Sequence, residues 1–441
     1  VISPQPVRLR STAGQVLAAS MVAVITLGVL AASWPSNAQT GDRLLARVRQ
    51  ERAAYLTTLR DLVAVESGSR DIEGLDRLGA LIAARLRALG GEVEIVPPGA
   101  DLYRMDDTPA RPGSSVVGRF RGAGTARILL LAHMDTVYDR GMAARQPFRI
   151  EGDQAYGLGI ADDKSGVALA LHAVAVLKAL DVRDYGLVTV LINADEEISS
   201  PGSRALITRL GSEHDAVFSC EGSDEGDSLR LATSGNGAAL LRVRGRASHA
   251  GSAPDDGRNA LYELAHQILQ MRDLSDPRTG AKLNWTVAKA GATRNIIPAS
   301  AEATADARVL RVQDWDVLEA KLRQRIRTQL IPDTQVSVVL ERRRPPLEAS
   351  PASRAMAAHA ATIYASIGKR LRVFDVSGGG GTDAAFAALK TKAPVVEGFG
   401  PIGFGAHSDE RESIDLRSVE PRLYLLTRMI MDVAQGKAPS S

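Results

Sequence analysis

The stretch GLGIADDKSG at 157–166 lies between two apolar runs of strand character, RILLLA at 127–132 and LVTVLIN at 187–193. The first run ends in His133-Met134-Asp135 and the second in Asp195-Glu196-Glu197, so imidazole and carboxylate gather where two strands would stop. In α/β sheets, ligands bind outside the carboxyl ends of the strands. Taken singly, each cluster reads as a solvated loop; taken together they read as ligands, with Asp162 placed to bridge two metal ions. His133 and Asp135 form H-x-D, which lets the carboxylate accept the ring N–H that a ligating imidazole leaves over. Glu196 and Glu197 would repel each other as bare neighbours. Two cations resolve the conflict if one carboxylate ligates while the other takes a proton from water. Glu221 follows a further apolar stretch at 216–219, and His407 lies in GAHSDE far along the chain. Imidazole and carboxylate without thiolate suit zinc first, then cobalt or manganese.

Rival chemistries lack their motifs. There is no HExxH helix, no Walker loop and no GxSxG elbow. Gly157 and Gly159 lack the third glycine of a dinucleotide loop. Cys220 is the only cysteine, so the chain has no internal disulfide. It follows apolar residues and reads as a buried small side chain rather than a nucleophile. His172, His214, His266 and His359 fall outside the motifs and read as helix-surface or packing residues.

The elements that must position these groups follow from pattern. The chain has 441 residues, 45% hydrophobic and 24% charged, enough for two domains. Residues 1–38 read as a secretory signal peptide: Arg8 and Arg10, an apolar run at 16–32, then Ser36-Asn37-Ala38. The run is short for a membrane span, and an uncleaved anchor is the minor reading. Removing it takes away two arginines and no acid, which leaves the mature chain near neutral and argues against nucleic acid. Helical spacing runs through 41–66 and 71–89, the latter stopping at Gly90-Gly91. Strand-like runs follow at 93–96 and 114–120. Strands at 127–132, 187–193 and 216–219 then alternate with helices at 165–180 and 202–210. That rhythm gives an α/β fold with a largely parallel sheet. From about 234 to 345 the order becomes β-α-β-β-α-β, the ferredoxin-like signature, with its second helix over 314–329. The α/β rhythm resumes afterwards, with a glycine turn at 378–381 and a last helix over 418–435. The expected division is therefore 39–233 and 346–441 for a catalytic zinc domain, and 234–345 for an inserted one.

HMDTVYDRG, GLGIADDKSG, NADEE, SHAG, RNIIPA and GAHSDE, in this order, resemble the co-catalytic dizinc exopeptidase family of aminoacylases, desuccinylases and glutamate carboxypeptidases. The likeness covers nearly the whole chain after residue 38 and is greatest to the glutamate carboxypeptidases. It implies a mixed sheet flanked by helices, with an inserted ferredoxin-like α+β domain for lid and dimerisation. It implies two Zn2+, with Co2+ or Mn2+ in substitution, bridged by Asp162. His133 and Glu221 would complete one site, Glu197 and His407 the other. Glu196 would be the general base, Asp135 would orient His133, and the Asp162–Asp163 peptide would be cis. His249 would stabilise the oxyanion, from the partner subunit of a homodimer joined through 234–345. Asn295, Arg308, Gly380 and Thr382 would meet the substrate's carboxylate, Arg308 by a bidentate grip.

The expected activity is hydrolysis of the amide bond to a C-terminal amino acid, glutamate first, in N-acyl, peptidyl or folate-like substrates, by an exported, periplasmic enzyme. A glutamate preference needs a second cation, for which Arg230 and Arg344 stand at the domain junctions. An N-acyl-amino-acid deacylase or dipeptidase is the alternative. A non-catalytic periplasmic binder is the remote one, since a binder needs no base beside its ligands. Serine at 165, where a glycine is common, and the proline in Ile198-Ser199-Ser200-Pro201 depart from the family's pattern.

Overall fold

The computed structural model describes residues 37–100 and 102–439. The signal-peptide reading of 1–38 falls almost wholly outside the described residues. No helix among the described residues is long and apolar enough to cross a membrane.

Unbroken runs of Val, Leu and Ile make strands that are buried on both faces. Leu187–Asn193 is buried throughout, and Arg127–His133 throughout after its first residue. The two pair in parallel, with His133 opposite Asn193. Ala216–Ser219 pairs in parallel with the other side of Arg127–His133. Three strands therefore end side by side, and the residues that follow them share one sheet edge. The eight-stranded sheet runs Glu92–Val96, Ser115–Arg121, Leu187–Asn193, Arg127–His133, Ala216–Ser219, Val395–Glu397, Ser228–Arg230, Arg372–Phe374. It is mixed rather than largely parallel. Glu92–Val96 and Ser115–Arg121 run antiparallel, and the latter is antiparallel to Leu187–Asn193 as well. Only residues 122–126 link Ser115–Arg121 to Arg127–His133, too few for the crossover that parallel strands need.

Helix Ile72–Ala88 presents Leu75, Leu78, Ile82 and Leu86 as one buried stripe. Asp71 caps its first turn by accepting from Gly74 N at 3.0 Å. Gly90, at φ 92°, supplies the left-handed residue after its end. Helices Ser165–Ala179 and Leu416–Ala434 pack on each other and contribute to the main core.

A second sheet, wholly antiparallel, runs Lys282–Ala290, Ser300–Val309, Gly235–Arg244, Gln335–Arg344. Its inward residues, among them Ala239, Leu241, Ala305 and Val309, form a separate core with Leu264, Trp315 and Leu318. The chain order is strand, helix, strand, strand, helix, strand. The second helix, Asp314–Arg325, is one turn shorter than the spacing suggests.

Sequence reading missed a third sheet of four short antiparallel strands, Gly403–Phe404, Ser413–Asp415, Gln154–Tyr156 and Arg149–Glu151. Strands of two or three residues carry no readable period. Its consequence is local: Ser413–Asp415 pairs with Gln154–Tyr156 and so ties the His407 loop to the chain entering Gly157.

Candidate metal centre

The carboxyl ends of the three parallel strands deliver His133, the pair Glu196-Glu197, and Glu221. Asp162 arrives from the turn Ile160–Lys164, whose Asp162–Asp163 peptide is cis. His407 comes from the loop between the short strands, at φ 66°, a left-handed backbone that few non-glycine residues adopt.

Asp162 stands between two groups. Its Oδ1 lies 2.9 Å from His133 Nε2, and its Oδ2 lies 3.1 Å from His407 Nε2. Glu221 Oε1 is 3.5 Å from His133 Nε2, and Glu197 Oε2 is 3.3 Å from His407 Nε2. The ligand atoms of His133, Asp162 and Glu221 lie within 4.8 Å of one another, as do those of Asp162, Glu197 and His407. Each group offers one imidazole and two carboxylates, with one Asp162 oxygen turned to each.

Burial opposes a charge on His133, yet Glu221, Asp135 and Asp162 outweigh it and hold the imidazole pKa well above its ordinary value. Burial, with Asp163 and Asp162 adding to it, raises Glu221 strongly. Hydrogen bonds to Asp162 and Glu197 bring His407 up to about 10. Three carboxyl groups face two imidazoles here, and ionising all of them in this buried setting is costly unless a cation joins the cluster. The donor set fits divalent cations, and imidazole with carboxylate suits zinc, cobalt or manganese.

The supporting residues explain the placement. Nδ1 of His133 is 3.0 Å from the Asp135 carbonyl and 3.3 Å from Asp135 Oδ1, so Nε2 faces the cluster. Asp135, fully buried, does more than the H-x-D spacing suggests. Its Oδ1 accepts from Glu196 N at 3.0 Å, and its Oδ2 accepts from Glu197 N at 3.1 Å and from Ser69 at 2.7 Å. One carboxylate therefore sets both the histidine and the acidic pair. The odd sequence after that pair forms a tight turn, with Ser199 and Ser200 both at positive φ. Ser200 hydrogen-bonds Asp383, which also accepts from Asn193 Nδ2 at 2.6 Å.

Glu412 was not legible in advance. Fully buried, it accepts from Gly159 N at 2.7 Å, Ala161 N at 2.9 Å, Asp162 N at 3.1 Å and the Tyr138 hydroxyl at 2.6 Å. It fixes the backbone that carries Asp162. An acid five residues after His407 gave no signal that it reaches back to 159–162. Glu412→Ala leaves four buried donors without an acceptor. It is expected to lower the unfolding free energy by roughly 3 kcal/mol or more in urea titration, and to weaken metal binding in parallel. Unchanged stability would refute the anchoring role.

Glu196 is buried beside Glu197, and burial pushes its pKa up to about 8 against the pull of Arg344. Arg344 hydrogen-bonds Glu196 Oε1 through Nη1 and the Glu196 carbonyl through Nη2 at 2.5 Å. The arginine read as a receiver of substrate charge is thus already paired with the acid pair's first member. Arg230 donates to Gly222 O at 3.2 Å and lies 3.6 Å from Glu397 Oε1, outside the lining described next.

A cavity of about 420 Å3 opens on the cluster. Asp162, Glu196, Glu197, Glu221 and His407 form one wall. Asn236, Arg308 and Arg344 form another, and Gly380 and Thr382 border it. A second cavity of about 600 Å3, lined by Ser69, Tyr138, Asp139 and Arg140, meets the first at Glu197. His249 and Asn295 are not in either lining. They adjoin each other, Ala250 N donating to Asn295 O at 2.9 Å, and both are exposed. His249 Nδ1 accepts from Gly251 N and Ser252 N at 3.1 and 3.0 Å, which leaves Nε2 as the outward N–H. Cys220 is buried, as its apolar setting suggests. His172, His214 and His359 are held by Glu51, Thr189 and Asp432.

Residues 129–432 match the model of peptidase family M20/M25/M40. The chain is 42% identical over 402 residues to carboxypeptidase G2 of Pseudomonas sp. (strain RS-16), covering 91% of this chain and 94% of that one. It is 28% identical over 402 residues to a succinyl-diaminopimelate desuccinylase of Stenotrophomonas maltophilia, covering 86% of this chain and 100% of the relative. Two solved structures share the fold. Aminopeptidase PepT from Bacillus cereus has a TM-score of 0.70 at 21% identity, covering 87% and 99% of the two chains. The M20 metallo-carboxypeptidase Sso-CP2 from Sulfolobus solfataricus has a TM-score of 0.67 at 16% identity, covering 86% and 99%.

Proposed function

The chain belongs to peptidase family M20/M25/M40 and is a metallo-exopeptidase, and from that premise we propose that it releases a C-terminal amino acid, glutamate first, by hydrolysing the amide bond in N-acyl, peptidyl or folate-like substrates. One observation carries the reading: Asp162 turns an oxygen to each of two imidazole–carboxylate groups while Glu196 and Arg308 line the same cavity.

His133, Asp162 and Glu221 would hold one zinc ion and Asp162, Glu197 and His407 a second, supplying Lewis acidity to the scissile carbonyl and to water. Glu196 takes a proton from the attacking water and returns it to the leaving amine nitrogen. Asp135 keeps His133 in one tautomer and keeps Glu196 in register. The Arg308 guanidinium takes the α-carboxylate of the leaving amino acid. Its Nε is held by Asp306 at 3.0 and 3.1 Å and its Nη1 lies 3.4 Å from Gly379 O, which fixes the fork. Gly380 and Thr382 border the same carboxylate. The larger cavity takes the acyl part. His249, with Asn295 beside it, reaches the carbonyl oxygen from a second copy of the chain, in a dimer made through 234–345. Residues 1–38 direct export to the periplasm.

The dipeptidase alternative has one observation in its favour. Asp139, exposed and without an ion-pair partner among the described residues, lines the acyl-side cavity and could take a free α-ammonium.

The test uses zinc-loaded protein beginning at Gln39 and N-acyl substrates ending in glutamate, aspartate, alanine or leucine, with the released amino acid measured by mass spectrometry. Glutamate release supports the carboxypeptidase reading. Release confined to apolar ends, or to unblocked dipeptides, replaces it with the alternative. Arg308→Ala is expected to raise KM by roughly 10–100-fold with a smaller change in kcat, because it removes a charge-assisted bond made in ground and transition state alike. A substrate ending in carboxamide is expected to bind equally poorly to both forms; equal KM values for the acid substrate would remove Arg308 from the site.

A further inference from the structure

The second sheet sends a row of three side chains into the cavity. Asn236 lies opposite Arg308 on one neighbouring strand and opposite Arg344 on the other. Directly opposed residues of antiparallel strands share a face. A one-residue irregularity between Arg342 and Arg344 brings Arg344, rather than Arg343, into that register. All three residues line the cavity beside the candidate metal cluster. Gly381 keeps the row open: a Cβ there would stand 3.2 Å from Arg344 Cδ and 3.5 Å from Asn236 Nδ2.

The two arginines are already matched with acids, Arg308 with Asp306 and Arg344 with Glu196. Asn236 is not matched. Its Oδ1 is buried and has no hydrogen-bond partner, while the residue as a whole is half-buried. A buried amide oxygen left without a partner is costly, and an amide offers one acceptor end and one donor end whichever way it is turned. The Nε of Arg344, also buried and without a partner, adds a donor in the same row. Such a wall complements a neutral group that both donates and accepts. It offers a second carboxylate no cation that is free of its own acid.

We infer that Asn236 reads the side chain of the leaving amino acid, and that this chain accepts carboxamide side chains, those of glutamine and asparagine, at least as readily as glutamate. The inference rests on the amide-hydrolase reading above and replaces its glutamate-first order of leaving residues. In it, the side-chain amide of the leaving residue pairs both its ends with the Asn236 amide, while Arg308 keeps the α-carboxylate.

The experiment compares kcat/KM for N-benzoyl-glutamine, N-benzoyl-glutamate and N-benzoyl-leucine in the zinc-loaded protein, Asn236→Leu and Asn236→Asp. For the unaltered protein, glutamine is expected to equal or exceed glutamate and to exceed leucine. Asn236→Leu is expected to lower the glutamine-to-leucine ratio by roughly 10–100-fold, since a site built to hydrogen-bond a group discriminates against losing it. Asn236→Asp, nearly isosteric, is expected to raise the glutamine-to-glutamate ratio by at least about 10-fold through charge repulsion. Ratios are insensitive to a uniform loss of folded protein. Turnover with both ratios unmoved, or a glutamate preference above about 10-fold in the unaltered protein, overturns this inference and leaves the amide-hydrolase reading standing. No release from any of the three substrates overturns both.

Discussion

Replacing Glu196 by glutamine is expected to lower kcat by roughly 10²–10⁴-fold, the usual contribution of a positioned general base, while leaving bound metal unchanged. The two halves of that result come from one arrangement. Glu196 follows the carboxyl end of the central strand Leu187–Asn193, and Asp135 fixes its backbone N–H at 3.0 Å. It lines the cavity together with Asp162, Glu197, Glu221 and His407, but it belongs to neither donor group. Glutamine preserves the volume and can still accept from Arg344, so the fold and the ligands keep their places. What disappears is the carboxylate that, in the proposed mechanism, takes a proton from water and gives it to the leaving amine. KM is therefore expected to move by less than about threefold, because substrate binding does not draw on that proton. Metal content by mass spectrometry and kcat by amino-acid release check both halves. A kcat within tenfold of the unaltered protein would assign the proton transfer elsewhere.

Asp162→Ala is expected to abolish turnover by a different route. Asp162 is the one residue common to both donor groups, with Oδ1 toward His133 and Oδ2 toward His407. Removing it leaves each group one imidazole and one carboxylate, too few for tight zinc binding, which takes three or four protein ligands. The expected result is loss of bound metal from both groups together and activity at the uncatalysed background. Glu221→Ala and His407→Ala should each weaken one group more than the other, and comparing the three variants separates a bridge from a mere neighbour. Loss of a single ion in Asp162→Ala would show that Asp162 serves one group only.

Much of this was legible because the strands that matter are long and apolar. RILLLA and LVTVLIN admit one reading, and strands that end together place whatever follows them together. Motif residues after those ends, His133, Glu196-Glu197 and Glu221, were found for that reason. His407 was legible through resemblance to the dizinc exopeptidases rather than through pattern. The strands that hold its loop have two and three residues, below any period. Glu412 and Asp383 were missed on the same physical ground. Each is a buried carboxylate whose partners are distant backbone N–H groups or side chains, and nothing in the local sequence marks an acid as destined for burial. Asp135 was assigned half its role, since H-x-D encodes the histidine contact but not the bonds to residues 196 and 197. Arg344 was noticed for its charge and place. That it clamps Glu196 follows from the one-residue irregularity in its strand, which sequence does not announce. The reversed direction of Ser115–Arg121 likewise follows from the link 122–126, too short for a crossover to Arg127–His133.

The most direct test of the account is the metal content of the protein, measured together with where the ions sit. Protein loaded with zinc, passed through gel filtration and analysed by mass spectrometry is expected to hold two ions per chain. Anomalous diffraction at the zinc edge should place both against Asp162, one on the side of His133 and Glu221 and one on the side of Glu197 and His407. A single ion per chain, or two ions with either one remote from Asp162, would contradict it.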